Sequence, residues 1–500
     1  MPLAMETDAT AAQDAAGRIA VIDIGSNSIR IVAYDGLKRA PLPILNEKVQ
    51  CALGKGLSRT GRLNPEGVRL ALANLQRFRR LADGLGIERI EVLATAAARE
   101  ASDGDAFIAE VERLAGLKVH IVAGEEEARL AAQGVLFGSP RADGLIGDMG
   151  GGSVELVAMD DGAARRQVTL PLGPFRLAEV GSPRQAVVAD FVDQQFASLP
   201  WLAEHARGRV FHPVGGNWRA IARLHMEEIG HPLHIIHHYA METAEAVAFA
   251  GRLARASRSV IDKLSGAARR RDTIQHAAVV FERLLLTAQP SRVVFSAYGL
   301  REGHIFSLLD AAERARDPLL AACSDLARRM GRADGCELLL SWTNALFPGE
   351  DDGRRRLREA ACLLSEIAWA EHPDYRAEHA FMRVLRFPFP GIDHPERVFL
   401  ALAIHARYAG DLNGARLDSV RGMLGPQQLE RALALGLALR LAHTLSGGAP
   451  RLLSRATLIC DDEELQLTLP EDLALLTGDV VDRRLRALAQ AFGRRPRVIV

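Results

Sequence analysis

Short apolar stretches and polar turns alternate from residue 18 onward. IAVID and SIRIVAYD are two apolar runs parted by Gly-Ser-Asn, a pattern of two short strands joined by a tight turn. Residues 66–84 carry apolar positions at helical spacing. IERIEVLAT then predicts a strand, AREASDGDAFIAEVERLAG a continuing helix, LKVHIVAG a strand and EEEARLAAQGVLFG a helix. Strands alternating with helices predict an α/β core. From about residue 311 the strand pattern fades, and Ala, Leu and Arg recur at helical spacing. From about residue 455 mixed character returns, in ATLICDDEELQLTLP, a helix and RPRVIV.

No period of 20 to 50 residues is present, which excludes a solenoid, but one long-range repeat is. Residues 22–35 read IDIGSNSIRIVAYD and residues 147–160 read GDMGGGSVELVAMD. Without a gap, Asp23 falls on Asp148, Gly25 on Gly150 and Ser28 on Ser153, and Val32, Ala33 and Asp35 fall on Val157, Ala158 and Asp160. In each copy an apolar strand ends in an aspartate, glycine and serine turn the chain, and a second apolar strand returns. Such a turn leaves backbone N–H groups open to an anion, and the aspartate can hold a cation that bridges to it. Two such hairpins predict two similar domains facing each other across a cleft.

Length and charge narrow the reading. A chain of 500 residues predicts about three domains. Lys plus Arg equal Asp plus Glu at 62 each, so net charge argues for neither nucleic acid nor membrane as partner. The cysteines at 51, 323, 336, 362 and 460 form no C-x-x-C pair, which fits a reducing, cytoplasmic setting. Residues 1–17 are acidic, rich in small side chains and without a signal-peptide pattern, and predict a disordered leader. No apolar run approaches the ~20 residues that span a bilayer.

Candidate chemistry collects around the glycine turns. Asp148-Met149-Gly150-Gly151-Gly152-Ser153 places three glycines between two strands, which weakens a sheet unless the backbone must approach something closely; phosphate is the obvious candidate. Glu155, two residues beyond Ser153, shares its strand face, so Asp148 and Glu155 form a carboxylate pair suited to Mg²⁺ or Mn²⁺. Gly124-Glu125-Glu126-Glu127 opens a helix after the strand VHIVA, just upstream of that loop; acids there suit the helix dipole, and one of them at a cleft edge can orient water. Val214-Gly215-Gly216-Asn217-Trp218-Arg219 is a third glycine turn leading into a helix N-terminus. The histidines at 225, 231, 234, 237 and 238 match no metal motif and read as packing or surface residues. The runs Arg269-Arg270-Arg271 and Arg354-Arg355-Arg356 read as solvated faces, or as tracks in a protein that handles polyanions; Arg271 is the candidate phosphate contact.

The segments VIDIGSNSIRIVAYD, ATAAARE, VAGEEEARL, GDMGGGSVELV and FSAYGLREG stand in an order that resembles the exopolyphosphatase / guanosine pentaphosphate phosphohydrolase family, of the actin-like ATPase and sugar kinase superfamily. The resemblance is strong over residues 18 to about 310. It implies that Glu127 is the catalytic base, that Asp148 and Glu155 are metal-associated, and that Asp23, Ser26 and Asn27 line the first loop. It also implies that Thr95 and Arg99 face the phosphate cradled by Gly150, Gly151, Gly152 and Ser153. One departure is Ala123, where the family usually carries serine before the glycine. Beyond residue 310 the chain resembles an HD-type domain whose His-Asp pair is replaced by Ser365-Glu366; nearby His372, His379 and His405 lack that central pair. This region reads as a substrate-binding and dimer scaffold.

The expected architecture is α/β: two duplicated actin-like (ribonuclease H-like) domains, 18–136 and 137–310, with a cleft between them, then a mainly α-helical HD-like domain over 311–454 and a small α/β piece over 455–500. The expected activity is exopolyphosphatase, the Mg²⁺-dependent (or Mn²⁺-dependent) hydrolysis of the terminal phosphate of inorganic polyphosphate by a cytoplasmic homodimer. The alternatives are hydrolysis of guanosine pentaphosphate, with guanosine penta- or tetraphosphate as ligand, and a non-catalytic alarmone-binding regulator. A sugar or acetate kinase of the same superfamily fits less well, because the GEEEARL segment is present and no sugar pocket is evident.

Overall fold

The computed structural model describes residues 17–179, 185–264, 270–330 and 335–500; the expected leader lies almost wholly outside them. The chain divides into two compact units, with the boundary between Ala315 and Arg316.

The first unit holds two sheets. Strands β1 (Ile19–Ile24), β2 (Ser28–Tyr34), β3 (Pro43–Gln50), β4 (Arg89–Ala94) and β5 (Val119–Ile121) are ordered β3-β2-β1-β4-β5. Strands β6 (Gly144–Met149), β7 (Val154–Asp160), β8 (Ala163–Leu170), β9 (Val210–Val214), β10 (Ala240–Glu242) and β11 (Arg292–Val294) are ordered β10-β11-β9-β6-β7-β8. In each sheet an antiparallel hairpin comes first, β1 with β2 and β6 with β7, and the next strand but one in sequence, β4 or β9, joins the leading strand in parallel.

Both faces of β1 are covered. Ala20, Ile22 and Ile24 pack with Leu75 and Phe78 of α1 (Pro65–Gly84), while Ile19 and Val21 pack with Leu130 and Ile305 on the opposite face. This two-sided burial is why the strand reads as a continuous apolar run. The expected long helix after β4 is two helices, α2 (Ala96–Glu100) and α3 (Gly104–Ala115). The break is tertiary: Ser102 donates through both N–H and Oγ to the Gly61 carbonyl, and Asp103 accepts from the Leu63 N–H. Helix α4 (Gly124–Gly138) carries Leu130 toward the first sheet and Ala128, Ala132 and Val135 toward Ile146 and Val157 of the second.

Three further helices belong to this unit: α5 (Gly216–Glu228), α6 (Ile274–Ala288) and α7 (Leu300–Leu308). Helices α4 and α7 approach so closely that a Cβ on Gly303 would lie 1.8 Å from the Leu130 carbonyl oxygen, and one on Gly134 2.1 Å from that of Gly299. Only glycine fits at this crossing.

The second unit is mainly helical, with α8 (Pro318–Arg329), α9 (Asp352–Leu364), α10 (His394–Ala409), α11 (Pro426–Ser446) and α12 (Asp479–Ala491), and ends in a sheet of β12 (Thr457–Cys460), β13 (Glu464–Thr468) and β14 (Arg495–Ile499). Helix α10 starts at Asp393, which accepts from the Glu396 N–H while Glu396 accepts from that of Asp393, a reciprocal cap. Ser365 and Glu366 are both buried and engaged: His443 bonds the Ser365 hydroxyl at 2.9 Å, and Arg407 pairs with Glu366. Among the described residues no three His, Cys, Asp or Glu side chains converge to hold a metal ion by themselves, the five cysteines are all unpaired, and no helix is long and apolar enough to cross a membrane.

Candidate active site

The two hairpin turns meet tip to tip. Each is closed by the same bond, Gly25 N–H to Ser28 O at 3.1 Å and Gly150 N–H to Ser153 O at 3.0 Å. Cβ atoms on Gly151 and Ser26 would stand 3.1 Å apart, and one on Gly173 would lie 2.2 Å from the Gly152 carbonyl carbon. Of the three glycines Gly151 is the crowded one, its Cβ position lying 3.1 Å from a Phe175 ring carbon as well, whereas a Cβ on Gly150 or Gly152 would make only ordinary contacts. The Gly151 and Gly152 carbonyls accept from the Phe175 and Gly173 N–H groups, while among the described residues their own N–H groups find no backbone acceptor. That is the arrangement of an anion cradle.

Around this junction one pocket collects Asp23, Ser26, Asn27, Thr95, Glu127 and Asp148. Its lining also includes Gly150, Gly151, Gly152, Ser153, Gly215, Gly216 and Asn217. The Asn27 carbonyl accepts from the Cys51 and Ala52 N–H groups, which fixes the first loop. Thr95 leads into α2, its N–H bonded to the Ile24 carbonyl at 3.1 Å. Gly215 has φ of 92°, and a Cβ there would lie 2.8 Å from Asp148 Oδ1, so both conformation and space demand glycine.

Three acids gather on one side. Glu127, in the first turn of α4, is buried and accepts from Arg99 Nη1 at 3.1 Å; Arg99 also donates to the Val122 carbonyl at 2.6 Å. Asp148 and Glu155 are direct partners across the β6–β7 ladder. Burial pushes Glu127 up to about 7, against the pull of Arg99 and with help from Asp148 and Asp23. Burial likewise lifts Asp148 to about 6, opposed by Arg219 and assisted by Asp23. Glu155 rises well above the usual carboxylate range, from burial first and the Glu127 charge second, and its Oε1 is buried without a hydrogen-bond partner. Two carboxylates, one with an orphaned oxygen and each made costly to ionise first of all by burial, are a donor set that fits Mg²⁺ or Mn²⁺ completed by phosphate oxygens. The neighbouring acid Glu126 is engaged elsewhere, with His120 at 2.9 Å and Arg129 at 3.6 Å.

Cations line the same pocket, and several were not legible as site residues. Arg30, Lys48, Arg219, Arg270 and Arg301 all face the pocket. Arg301 donates to Asp23 Oδ2 at 3.0 Å, so Asp23 holds a guanidinium in place. Arg219 donates to the Ser296 carbonyl at 3.2 Å from the first turn of α5. Arg301 lies within FSAYGLREG and Arg219 directly after Gly-Gly-Asn-Trp, so their neighbourhood was a usable signal; for Lys48 there was none. Arg271 is a correction: it is exposed and outside the pocket, and Arg270 takes its place. Arg270 donates to Asn217 Oδ1 at 2.7 Å and lies against Gly216, where a Cβ would come within 2.1 Å of its Nη2. The turn that leads into α6, closed by Thr273 and Ile274 N–H to the Arg270 carbonyl, sends Arg270 inward and its neighbour to solvent.

The histidines do not assemble. His225 bonds the Tyr239 hydroxyl at 2.6 Å and pairs with Glu245 at 3.2 Å, and His238 bonds Ser139 at 2.8 Å. His372 and His379 remain largely exposed, each with a nearby acid. Of the second arginine run, Arg354 pairs with Asp351 and Arg356 with Asp317.

Residues 31–312 match the model of the Ppx/GppA phosphatase family, and residues 319–499 match that of the exopolyphosphatase C-terminal region. The chain is 26% identical over 479 residues to the guanosine-5'-triphosphate,3'-diphosphate pyrophosphatase of Aeromonas salmonicida, spanning 90% of this chain and 92% of that protein. It is 25% identical over 307 residues to exopolyphosphatase 1 of Mycobacterium tuberculosis, spanning 59% of this chain and 89% of that protein. Among solved structures, an exopolyphosphatase from Cytophaga hutchinsonii aligns with a TM-score of 0.55 at 22% identity, over 58% of this chain and 97% of that one. The Ppx/GppA family member of Aquifex aeolicus aligns with a TM-score of 0.51 at 23% identity, over 60% of this chain and 99% of that one. A family match over more than half the chain, on a fold shared with solved members, establishes that this chain belongs to the Ppx/GppA phosphatase family.

Proposed function

We propose that this chain is an exopolyphosphatase that hydrolyses the terminal phosphoanhydride bond of inorganic polyphosphate. The observation that carries the reading is one pocket lined by the acids Glu127 and Asp148, the latter paired across the ladder with buried Glu155, by the cations Arg30, Lys48 and Arg270, and by the glycine turns. The turns cradle the terminal phosphate through backbone N–H groups. Glu127, oriented by Arg99, accepts the proton of the attacking water. Arg30, Lys48 and Arg270 hold the phosphates of the leaving chain. Asp148 and Glu155 would hold a Mg²⁺ or Mn²⁺ ion, which would supply neutralisation of phosphate charge. Positioning and electrostatics then provide most of the barrier reduction, as is general for phosphoryl transfer.

The two sheets, which share the order of their first strands, support duplicated actin-like domains with the cleft between them. In the second unit His443 and Arg407 fill the Ser365-Glu366 position, which supports a degenerate HD-like scaffold without a second hydrolase site. The working form is a cytoplasmic homodimer. Guanosine pentaphosphate is the second reading, favoured by the relative named for it, whose likeness spans both units. The intact group of Glu127, Asp148 and Glu155 argues against a non-catalytic regulator. Phosphate release from medium-length polyphosphate, compared with release from guanosine pentaphosphate at equal concentration, decides between them. Faster release from the nucleotide overturns the first reading, and release from neither overturns both.

A further inference from the structure

Among the described residues five cations line the pocket, and four of them, Arg30, Arg219, Arg270 and Arg301, are arginines. A guanidinium keeps its proton throughout the physiological range, whereas an ammonium loses it where its surroundings oppose the charge. The fifth cation, Lys48, is therefore the one that can become a nucleophile. Lysine is scarce in this chain, with five among 62 basic residues. Lys38 pairs with Asp35 at 2.8 Å, and Lys55, Lys118 and Lys263 are exposed and outside the pocket.

Lys48 faces Arg30 across the β2–β3 ladder, and the residue is open to solvent. Among the described residues it has no carboxylate partner; Asp23, the acid that acts on it, is engaged by Arg301 at 3.0 Å. Its ammonium is lowered to about 8, by desolvation first, then by the like charges of Arg270, Arg30 and Arg301, against the pull of Asp23. At pH 8 about half of it is free amine, against roughly one part in 250 for an ordinary lysine. The guanidinium groups that oppose its charge are themselves fixed. Arg270 donates to Asn217 at 2.7 Å and Arg30 to Asn46 at 2.9 Å. Both remain able to bond a phosphate.

We propose that Lys48 is a modification site, acylated by acyl phosphates that seat their phosphate against Arg30 and Arg270. The acyl carbon of such a molecule is bonded directly to a phosphate oxygen, so a seated phosphate carries its carbonyl to the wall where Lys48 stands. The Lys48 Nζ lone pair attacks that carbon. The bond from carbon to the phosphate oxygen breaks with its electron pair, and inorganic phosphate leaves. The nitrogen gives a proton to solvent, and a neutral amide remains. One positive charge is thereby lost from the pocket wall, which weakens its hold on any polyanion. The seating rests on the reading of this pocket as a phosphate site; it does not require polyphosphate hydrolysis.

The test uses the full chain carrying Glu127→Gln, so that the reagent is not consumed by turnover. It is incubated with acetyl phosphate at pH 8, and acetylation of each lysine is followed by peptide mass spectrometry. Lys48 should react at least about tenfold faster than Lys55, Lys118 and Lys263, which hold far less free amine. Its rate should level off above about pH 8, while theirs keep rising. Inorganic tripolyphosphate should slow the reaction at Lys48 alone. Equal rates at all four lysines overturn the site. An equal preference for Lys48 from an acetyl thioester, which carries no phosphate, overturns the seating. Arg270→Gln should lower the rate at Lys48 about tenfold, the scale of one lost charge-assisted contact, and leave that at Lys55 unchanged; if this change disturbs folding, the tripolyphosphate competition decides. Labelled polyphosphate should bind the acetylated protein about tenfold more weakly than the untreated protein. With Lys48→Arg added, the treated sample should bind as its own untreated sample does, and an equal loss there overturns the consequence drawn for Lys48. A parent protein that hydrolyses no polyphosphate refutes the proposed activity, while the rates at Lys48 still decide the site.

Discussion

The Arg99 guanidinium bridges the Glu127 carboxylate, at 3.1 Å, and the Val122 carbonyl, at 2.6 Å. One side chain thereby ties the candidate base at the start of α4 to the end of β5. Glu127→Gln keeps the shape and removes the base, and should lower kcat at least ~100-fold while polyphosphate still binds. Turnover near that of the parent would move the role to another group. Arg99→Lys, which cannot bridge both acceptors in the same way, should lower kcat more than it raises KM.

The same carboxylate sets a pH dependence of stability. Burial raises Glu127 from the usual value to about 7 in the fold. A raised carboxylate favours folding fully below its unfolded value, and that contribution is lost as pH rises through about 7. In metal-free protein Glu127→Gln should therefore be more stable than the parent at pH 8, by roughly 1–3 kcal/mol, with the gap closing toward pH 4. Thermal melts across this range check it; a gap that does not depend on pH contradicts the assigned cause.

Asp148 and Glu155 face each other across β6 and β7, at the register that Asp23 and Arg30 occupy across β1 and β2. One hairpin thus presents two acids and its counterpart an acid and a cation. Asp148→Ala or Glu155→Ala should raise the Mg²⁺ concentration needed for half-maximal activity by about tenfold or more. An unchanged metal titration in both variants would remove the metal from this pair.

Arg270 and Arg271 are adjacent in sequence and opposite in environment. Arg270→Ala should raise KM for polyphosphate about tenfold, the scale of one lost charge-assisted contact. Arg271→Ala should leave KM unchanged. Equal effects would show that the run acts only through its summed charge.

Gly303→Ala tests the crossing of α4 and α7. The added methyl meets the Leu130 carbonyl oxygen at 1.8 Å, within a contact between two helix backbones that has no flexible side chain to yield. Stability should fall by about 2–3 kcal/mol, read as a lower midpoint in urea. An unchanged midpoint would mean that the helices separate freely.

Much of this molecule was determined by the sequence itself. The repeat of Asp23 through Asp35 at Asp148 through Asp160 marks two hairpins of one kind, because strand alternation and glycine turns are local properties of the chain. The pocket acids Glu127 and Asp148, and Glu155 opposite Asp148, stand in a helix start and a repeated hairpin that could be placed from the sequence. The break between α2 and α3 was not legible, since Ser102 and Asp103 leave the helix to bond Gly61 and Leu63, some forty positions earlier. Nor was the cationic wall: Lys48 becomes a site residue through its register opposite Arg30, and Arg270 rather than Arg271 through the turn that leads into α6. Residue type and spacing fix what a local segment can do. Which cation shares a cleft with which acid is decided by long-range packing, and only the tertiary structure carries it.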